Sequence, residues 1–218
     1  MSAHEIPQSP AAPAHGDVSA EATFSLFGVF RISSSHPVVL DGRDVPAIVQ
    51  ELEDVAASLA EEGVSVRGWY DVSGIRSDAD VLVWLHGAEV EDLQWAMRQL
   101  RRCALLRPLI RSWSTLGVEQ PGQPLLAEQQ PGSWLTCAAA PAPHTSMTSP
   151  EVTDLVLRSY ATAGQVGARW LLAAEGDDPA TLMELVHAAQ GSPVNAALHS
   201  TVFTGRFIEP AEIVEVLQ

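Results

Sequence analysis

The sequence predicts an α+β fold made of two tandem ferredoxin-like halves, and three observations predict it. Residues 66–72 and 81–86 alternate with a period of two on either side of a turn-forming stretch, as two antiparallel strands do. Amphipathic helical patterns follow residues 44 and 90. The resulting order, β-α-β-β-α-β, is the split βαβ unit, and a shorter version of it follows in the second half.

The first half opens with residues 24–32 (FSLFGVFRI), whose aromatic and branched side chains predict a central strand. Residues 45–60 predict a helix that packs on the sheet, with Asp44 as its N-cap. Residues 109–116 predict the last strand of this half. The helix places four apolar residues on one face: Ile48, Leu52, Val55 and Leu59.

The second predicted helix starts with Glu91 and Asp92, which suit the positive end of the helix dipole. Its inward residues are Leu93, Met97, Leu100 and Ala104. A basic run lies toward its C-terminal end: Arg98, Arg101, Arg102 and Arg107. We interpret this run as a solvated face matched to the dipole, with an anion site as the alternative.

The second half is predicted as β-β-β-α-β, one helix short of the first. Residues 152–163 fit either a helix or a strand, and we prefer a strand because residues 170–174 then pair with it through GQVG. The other predicted elements are a strand over 133–140, a helix over 178–190 and a strand over 200–207.

The predicted organisation has four parts: a disordered tail over 1–22, a half over 23–117, a linker over 118–132 and a shortened half over 133–218. The tail lacks the basic and apolar regions of a secretory signal.

Composition excludes several partners. A formal net charge of -15 argues against nucleic acid and anionic membranes, which it would repel. No apolar run approaches the length of a membrane helix. Cys103 and Cys137 belong to no metal or redox motif, so we expect buried thiols in a reducing cytoplasm.

Residues 67–87 (RGWYDVSGIRSDADVLVWLHG) and 91–102 (EDLQWAMRQLRR) closely resemble the actinobacterial coproheme decarboxylases of the chlorite dismutase superfamily. Shorter stretches fit in the same order: 105–116, 133–136, 169–175 and 204–206. The resemblance implies the dimeric α-β barrel type of fold and assembly into rings of five or six subunits.

The second half departs from that family at its haem site. In the family, the strand that begins WLT carries a tyrosine that acts as the radical site, and a long helix then ends at the histidine that binds haem iron. Here Ala138 holds the tyrosine position, and residues 141–151 bridge the place of the helix and its histidine. A methyl group cannot carry a phenoxyl radical, and iron porphyrin needs an axial ligand.

Three residues are candidates for cofactor binding if haem is bound: His144, His187 and Trp170. For His144 the ordinary interpretation is a solvated loop residue, for His187 a half-buried core histidine, and for Trp170 core packing. Asp71, Asp78 and Asp80 fit turn chemistry. No phosphate loop, nucleophile motif or metal-ligand spacing occurs in the sequence, so we predict no catalytic residue, no metal and no cofactor.

These observations predict a divergent relative of coproheme decarboxylase that has lost its haem site. It would act as a non-catalytic or accessory subunit in a homo-oligomer, or in a hetero-oligomer with a haem-competent homologue. The alternative is a haem-dependent oxidoreductase with a remodelled pocket, which performs peroxide-dependent oxidation or coproheme decarboxylation. A binding protein for an apolar metabolite is a further alternative.

Overall fold

The computed structural model describes residues 23–35, 41–121, 123, 126, 129–143, 155–162, 169–190 and 201–218. Its strands are β1 (Phe24–Arg31), β2 (Val64–Asp71), β3 (Val81–Gly87), β4 (Ile110–Glu119), β5 (Trp134–Ala140), β6 (Val156–Thr162), β7 (Trp170–Gly176) and β8 (Val202–Ile208). Its helices are α1 (Val45–Glu61), α2 (Val90–Leu100), α3 (Pro179–Gln190) and the short α4 (Ile213–Val216), which follows a 3-10 turn.

The eight strands form a closed antiparallel barrel in the order β1-β3-β2-β8-β5-β7-β6-β4. The first half contributes β4-β1-β3-β2 and the second half β8-β5-β7-β6, so both halves have the same internal strand order. Two seams join the halves, where β2 pairs with β8 and β4 pairs with β6. The predicted pair of ferredoxin-like halves is therefore confirmed.

Alternation along each strand divides the core into an outer and an inner layer. In β3, Val81, Val83 and Leu85 face the helices α1 and α2, whereas Leu82 and Trp84 face the barrel interior. Closing the sheet on itself leaves it without edges, so each half completes the hydrogen bonding of the other.

The barrel interior is filled by side chains from both halves. Phe27 lies 4.9 Å from Trp84 and 5.6 Å from Tyr160, measured between ring centroids, and Trp84 meets Tyr160 edge to face. Leu135, Leu171 and other second-half residues complete this inner cluster. The barrel is a packed core and not a channel.

Two glycines allow the seams to close. A Cβ atom on Gly205 would lie 2.6 Å from the carbonyl oxygen of Asp71 across the β2–β8 seam. A Cβ atom on Gly117 would lie 2.5 Å from Cβ of Tyr160 across the β4–β6 seam. Close approach of the two halves therefore depends on the missing side chains.

Most element predictions are confirmed, with four corrections. β4 runs to Glu119, two residues into the predicted linker, because it continues to pair with β1 and β6. Asp44 occupies the N-cap of α1 without a side-chain capping bond, and Val49 is buried where the apolar pattern did not place it. The 3-10 turn and α4 were not predicted.

The chain between β5 and β6 is much shorter than its counterpart in the first half. Residues 141–155 join β5 to β6, whereas residues 32–63 join β1 to β2 and include α1. The predicted tail and the predicted bridge lie largely outside the described residues, at 1–22 and 144–154. Among the helices that are described, none is both long and apolar enough to cross a bilayer.

Candidate functional site

The outer face of the second half lies between α3 and the sheet. Leu182 and Val186 of α3 pack with Ala138 of β5 and Ala174 of β7, and all four side chains are buried. Half-buried apolar residues surround this cluster: Trp134, Leu155, Leu157, Leu185 and Val202. Ala138 therefore lies directly beneath α3.

The structure separates the candidate cofactor residues. Trp170 is half-buried at the start of β7, where it pairs with Ala140 and Ala161. His187 is exposed, which corrects the expected half-buried position, because Leu182 and Val186 take the inward face of α3. His144 lies outside the described residues.

The described part of this face does not fit an iron porphyrin. Haem iron requires an axial imidazole, thiolate, thioether or phenolate. The apolar cluster between α3 and the sheet consists of alanine, leucine and valine side chains and the indole of Trp134, and His187, the described histidine of α3, is exposed. No group of three metal-ligating side chains occurs in the described residues either.

A second polar site lies inside one end of the barrel. Arg67 of β2 forms an ion pair with Glu175 of β7, with 2.7 Å between Nη2 and Oε2. The Arg67 and Glu175 side chains are only 5% and 1% exposed, so the pair is removed from water. Because the partners come from different halves, this pair ties the halves together.

Tyr70 belongs to the same network. Its hydroxyl donates a 2.7 Å hydrogen bond to Oε1 of Glu175. Burial raises the pKa of Tyr70 well above its ordinary value, and the neighbouring carboxylate raises it further. The phenol therefore stays protonated and acts as a hydrogen-bond donor to the buried carboxylate.

Two buried arginines also hold the segment that joins the halves. Arg67 donates to the backbone carbonyls of Leu126 (3.1 Å), Gln129 and Gln130 (2.9 Å). Arg158 of β6 forms an ion pair with Glu119 and donates to Oε1 of Gln129 at 2.9 Å. The predicted linker is thus bound across one end of the barrel.

His86 lines a cavity of about 390 Å³ at this end, together with Arg67, Gln129 and Gln130. Burial lowers the pKa of His86, which keeps its imidazole neutral at pH 7. Its buried Nδ1 has no hydrogen-bond partner among the described residues. Both arginines already bond to protein acceptors, so this arrangement suits structural support better than acid–base chemistry.

The sequence contained a signal for these residues that was not used. Glu175 and Arg158 are charged residues within otherwise apolar strands, at positions that alternate with outward residues. A charged side chain at such a position needs a buried partner of opposite charge, or the strand is distorted. The pairing itself spans more than a hundred residues between Arg67 and Glu175, which local patterns cannot reveal.

The thiol prediction and two of the three turn predictions are confirmed. Asp71 accepts hydrogen bonds from the backbone and side chain of Ser73, and Asp78 pairs with Arg76, so both make the local contacts that were predicted. Asp80 differs, because it accepts a hydrogen bond from the backbone of Ile32, which is 48 residues away in the sequence. Cys103 and Cys137 are free and buried. Burial raises the pKa of Cys103 to about 11 and that of Cys137 further, so neither thiol is an activated nucleophile.

A barrel closed from two ferredoxin-like halves, with helices on its outer face, defines the class as an α+β barrel. Residues 45–133 match the family model described as chlorite dismutase. Over 120 residues the chain is 31% identical to the coproheme decarboxylase of Mycolicibacterium smegmatis, an alignment that covers 51% of this chain and 50% of that protein. The chain thus spans about half the length of the curated relative that it matches.

Solved structures agree with this fold. A crystal structure provisionally described as a chlorite dismutase aligns with a TM-score of 0.69 at 12% identity, over 90% of this chain and all of the other. Chlorite dismutase from Candidatus Nitrospira defluvii in complex with imidazole aligns with a TM-score of 0.67 at 15% identity, over 90% and 95% of the two chains. Residues 45–133 are thus similar in sequence to the chlorite dismutase family, and the chain shares the fold of these solved structures.

Proposed function

We propose that this protein is a chlorite dismutase-family member that does not hold haem and acts as a non-catalytic or accessory subunit. It would work in the cytoplasm, either as a homo-oligomer or together with a haem-competent homologue. The observation that carries the proposal is Ala138. This residue is buried beneath α3 against Leu182 and Val186, where the resemblance places a catalytic tyrosine.

Two further features support the proposal. The connection from β5 to β6 spans residues 141–155, less than half the length of its counterpart in the first half. The barrel itself remains complete, with both seams paired and its interior filled. A subunit with an intact barrel but without a haem pocket still has the surfaces needed for assembly.

Mixing this chain with a haem-loaded coproheme decarboxylase-family protein tests the accessory role. Native mass spectrometry of the mixture should detect assemblies that contain both chains, and the decarboxylation rate should change with their ratio. The haem-loaded protein alone at the same concentration is the control. Two separate homo-oligomers with an unchanged rate would rule out the accessory role.

A haem-dependent oxidoreductase with a remodelled pocket is the second candidate. It is favoured by half-buried Trp170, which pairs with Ala140 at the end of β5, close to where residues 144–154 begin. Peroxide-dependent conversion of coproheme, followed by mass spectrometry, tests this candidate. Turnover that is lost in His144→Ala or His187→Ala would establish it, and absence of turnover would remove it.

A further inference from the structure

A basic groove lies between α2 and β4 on the outside of the first half. We call it the α2–β4 groove. It encloses about 450 Å³. Its exposed lining residues are Gln94, Arg98, Arg101, Arg111 and Ser114, and its buried or half-buried lining residues include Leu26, Met97 and Leu116.

The charge around this groove opposes that of the whole chain. Residues 98–111 contain five arginines and no acidic residue, whereas all 27 acidic residues of the chain lie elsewhere. The groove is therefore a local positive site on a protein whose formal net charge is -15. Such a concentration of positive charge attracts small anions over about one Debye length, which is roughly 8 Å at physiological salt.

The helix dipole explains only part of this arrangement. Arg98 and Arg101 lie at the C-terminal end of α2, where a positive charge is favourable. Arg111 belongs to β4, so the dipole gives no reason for its position beside them. None of the three arginines forms an ion pair with any residue that the structure describes.

The lining has the chemistry of a small-ligand site. Guanidinium groups bind carboxylate and phosphate oxygens, and Gln94 and Ser114 add neutral hydrogen-bonding groups. Leu26, Met97 and Leu116 offer an apolar surface beneath them. The volume suits a compact molecule and not a polymer.

We propose that the α2–β4 groove binds a small organic polyanion that carries two or more carboxylate or phosphate groups on an apolar body. This site is independent of the haem question, because it lies on the first half and uses none of the residues near α3. Nucleic acid is not the ligand, since the acidic remainder of the chain would repel an extended polyanion.

Calorimetric titration with benzene-1,3,5-tricarboxylate at physiological salt tests the site. The double variant Arg98→Gln/Arg111→Gln removes two charges from the groove. Arg102→Gln/Arg107→Gln removes two charges from the same basic run outside the groove and is the matched control. Benzoate, with a single carboxylate, tests whether the site needs several anionic groups. Citrate tests whether it needs an apolar body, and pyrophosphate tests whether it accepts phosphate groups.

Wild-type protein should bind the tricarboxylate saturably with one site per chain. The groove variant should lose roughly tenfold or more in affinity, because it removes two guanidinium groups that would donate charge-assisted hydrogen bonds to the anion. The control variant should change affinity less than about threefold. Unfolding curves of both variants establish that they are folded.

Three results would overturn the proposal. The first is that the tricarboxylate does not bind saturably, and the second is that both double variants lose equal affinity for it. The third is that the tricarboxylate changes only the oligomeric state of the protein, as measured by sedimentation. The last result would make the groove a contact between subunits.

Discussion

The two halves share one strand order but differ in what covers them. The first-half sheet lies beneath α1 and α2, with α4 from the C-terminus added to the same core. In the described part of the second half, α3 alone covers the sheet, through a cluster centred on Leu182 and Val186. The inner faces, by contrast, merge into one shared core.

This difference shows which parts of the fold depend on each other. Barrel closure depends on the inward-facing residues and on the two seams. A substitution in either region of one half therefore affects its contacts with the other half. The outer face of the second half packs against α3, whereas that of the first half packs against α1, α2 and the C-terminal α4. An outer face can therefore diverge without opening the barrel, as the second half has done relative to the first.

The largest effect should come from breaking the ion pair that joins the halves. Glu175→Gln leaves the guanidinium of Arg67 without its buried counter-charge and should lower the free energy of unfolding by about 3–5 kcal/mol. Urea denaturation measures the change. Arg206→Met, which removes a half-exposed pair with Glu212, should cost much less, because water screens that pair. Equal costs for the two variants would show that the buried pair does not couple the halves.

Core truncations compare the two outer faces. Leu52→Ala in α1 and Leu182→Ala in α3 each remove a buried leucine, and each should cost about 2–5 kcal/mol. Leu52→Ala should cost more, because the thinner cover of the second half can relax around the lost side chain. Thermal and urea unfolding measure both variants. A larger cost for Leu182→Ala would mean that the second outer face is the better packed one.

The seams can be tested through a glycine. Gly205→Ala should destabilise the protein by about 1–3 kcal/mol, since its Cβ would meet backbone atoms of Asp71. Gly42→Ala is the control, because a Cβ there meets no atom within 4 Å. Unfolding free energies of the two variants within experimental error of each other would count against tight closure at the β2–β8 seam.

The smallest effect concerns pH. Burial lowers the pKa of His86 in the folded state, so its stabilising contribution is present above the ordinary histidine pKa of about 6.5 and is lost as pH falls through the folded value. His86→Gln should therefore lose less stability than wild type between neutral and mildly acidic pH. The difference should persist at high salt, because desolvation and not a screened charge is the main cause. If the free energies of unfolding of wild type and His86→Gln changed equally with pH, His86 would not be the source of this pH dependence.

Local patterns predicted the strands and helices well because apolar runs mark strands that are buried on both faces, and amphipathic periodicity marks the helices that cover them. Residues 152–163 fitted two structures by pattern, and the requirement for a partner strand decided correctly for β6. The hydrogen bonds from Arg67 and Arg158 to Leu126, Gln129 and Gln130 could not be predicted, since they join distant parts of the chain. The basic run was read from α2 alone, so Arg111 of β4 was missed.

The candidate site was predicted less completely than the fold. Ala138 was singled out from the sequence, and the structure buries it beneath α3. His187 was placed half-buried, but periodicity could not decide which side of α3 would face the sheet at that position. The network around Glu175 was missed because its members were judged one at a time.

An absorbance titration with coproheme tests the central claim most directly. A haem-competent coproheme decarboxylase-family protein, titrated in parallel, is the positive control. We expect weak, unsaturable uptake without a sharp Soret shift, because aliphatic side chains fill the interface between Ala138 and α3. Saturable one-to-one binding with a sharp Soret band would contradict it.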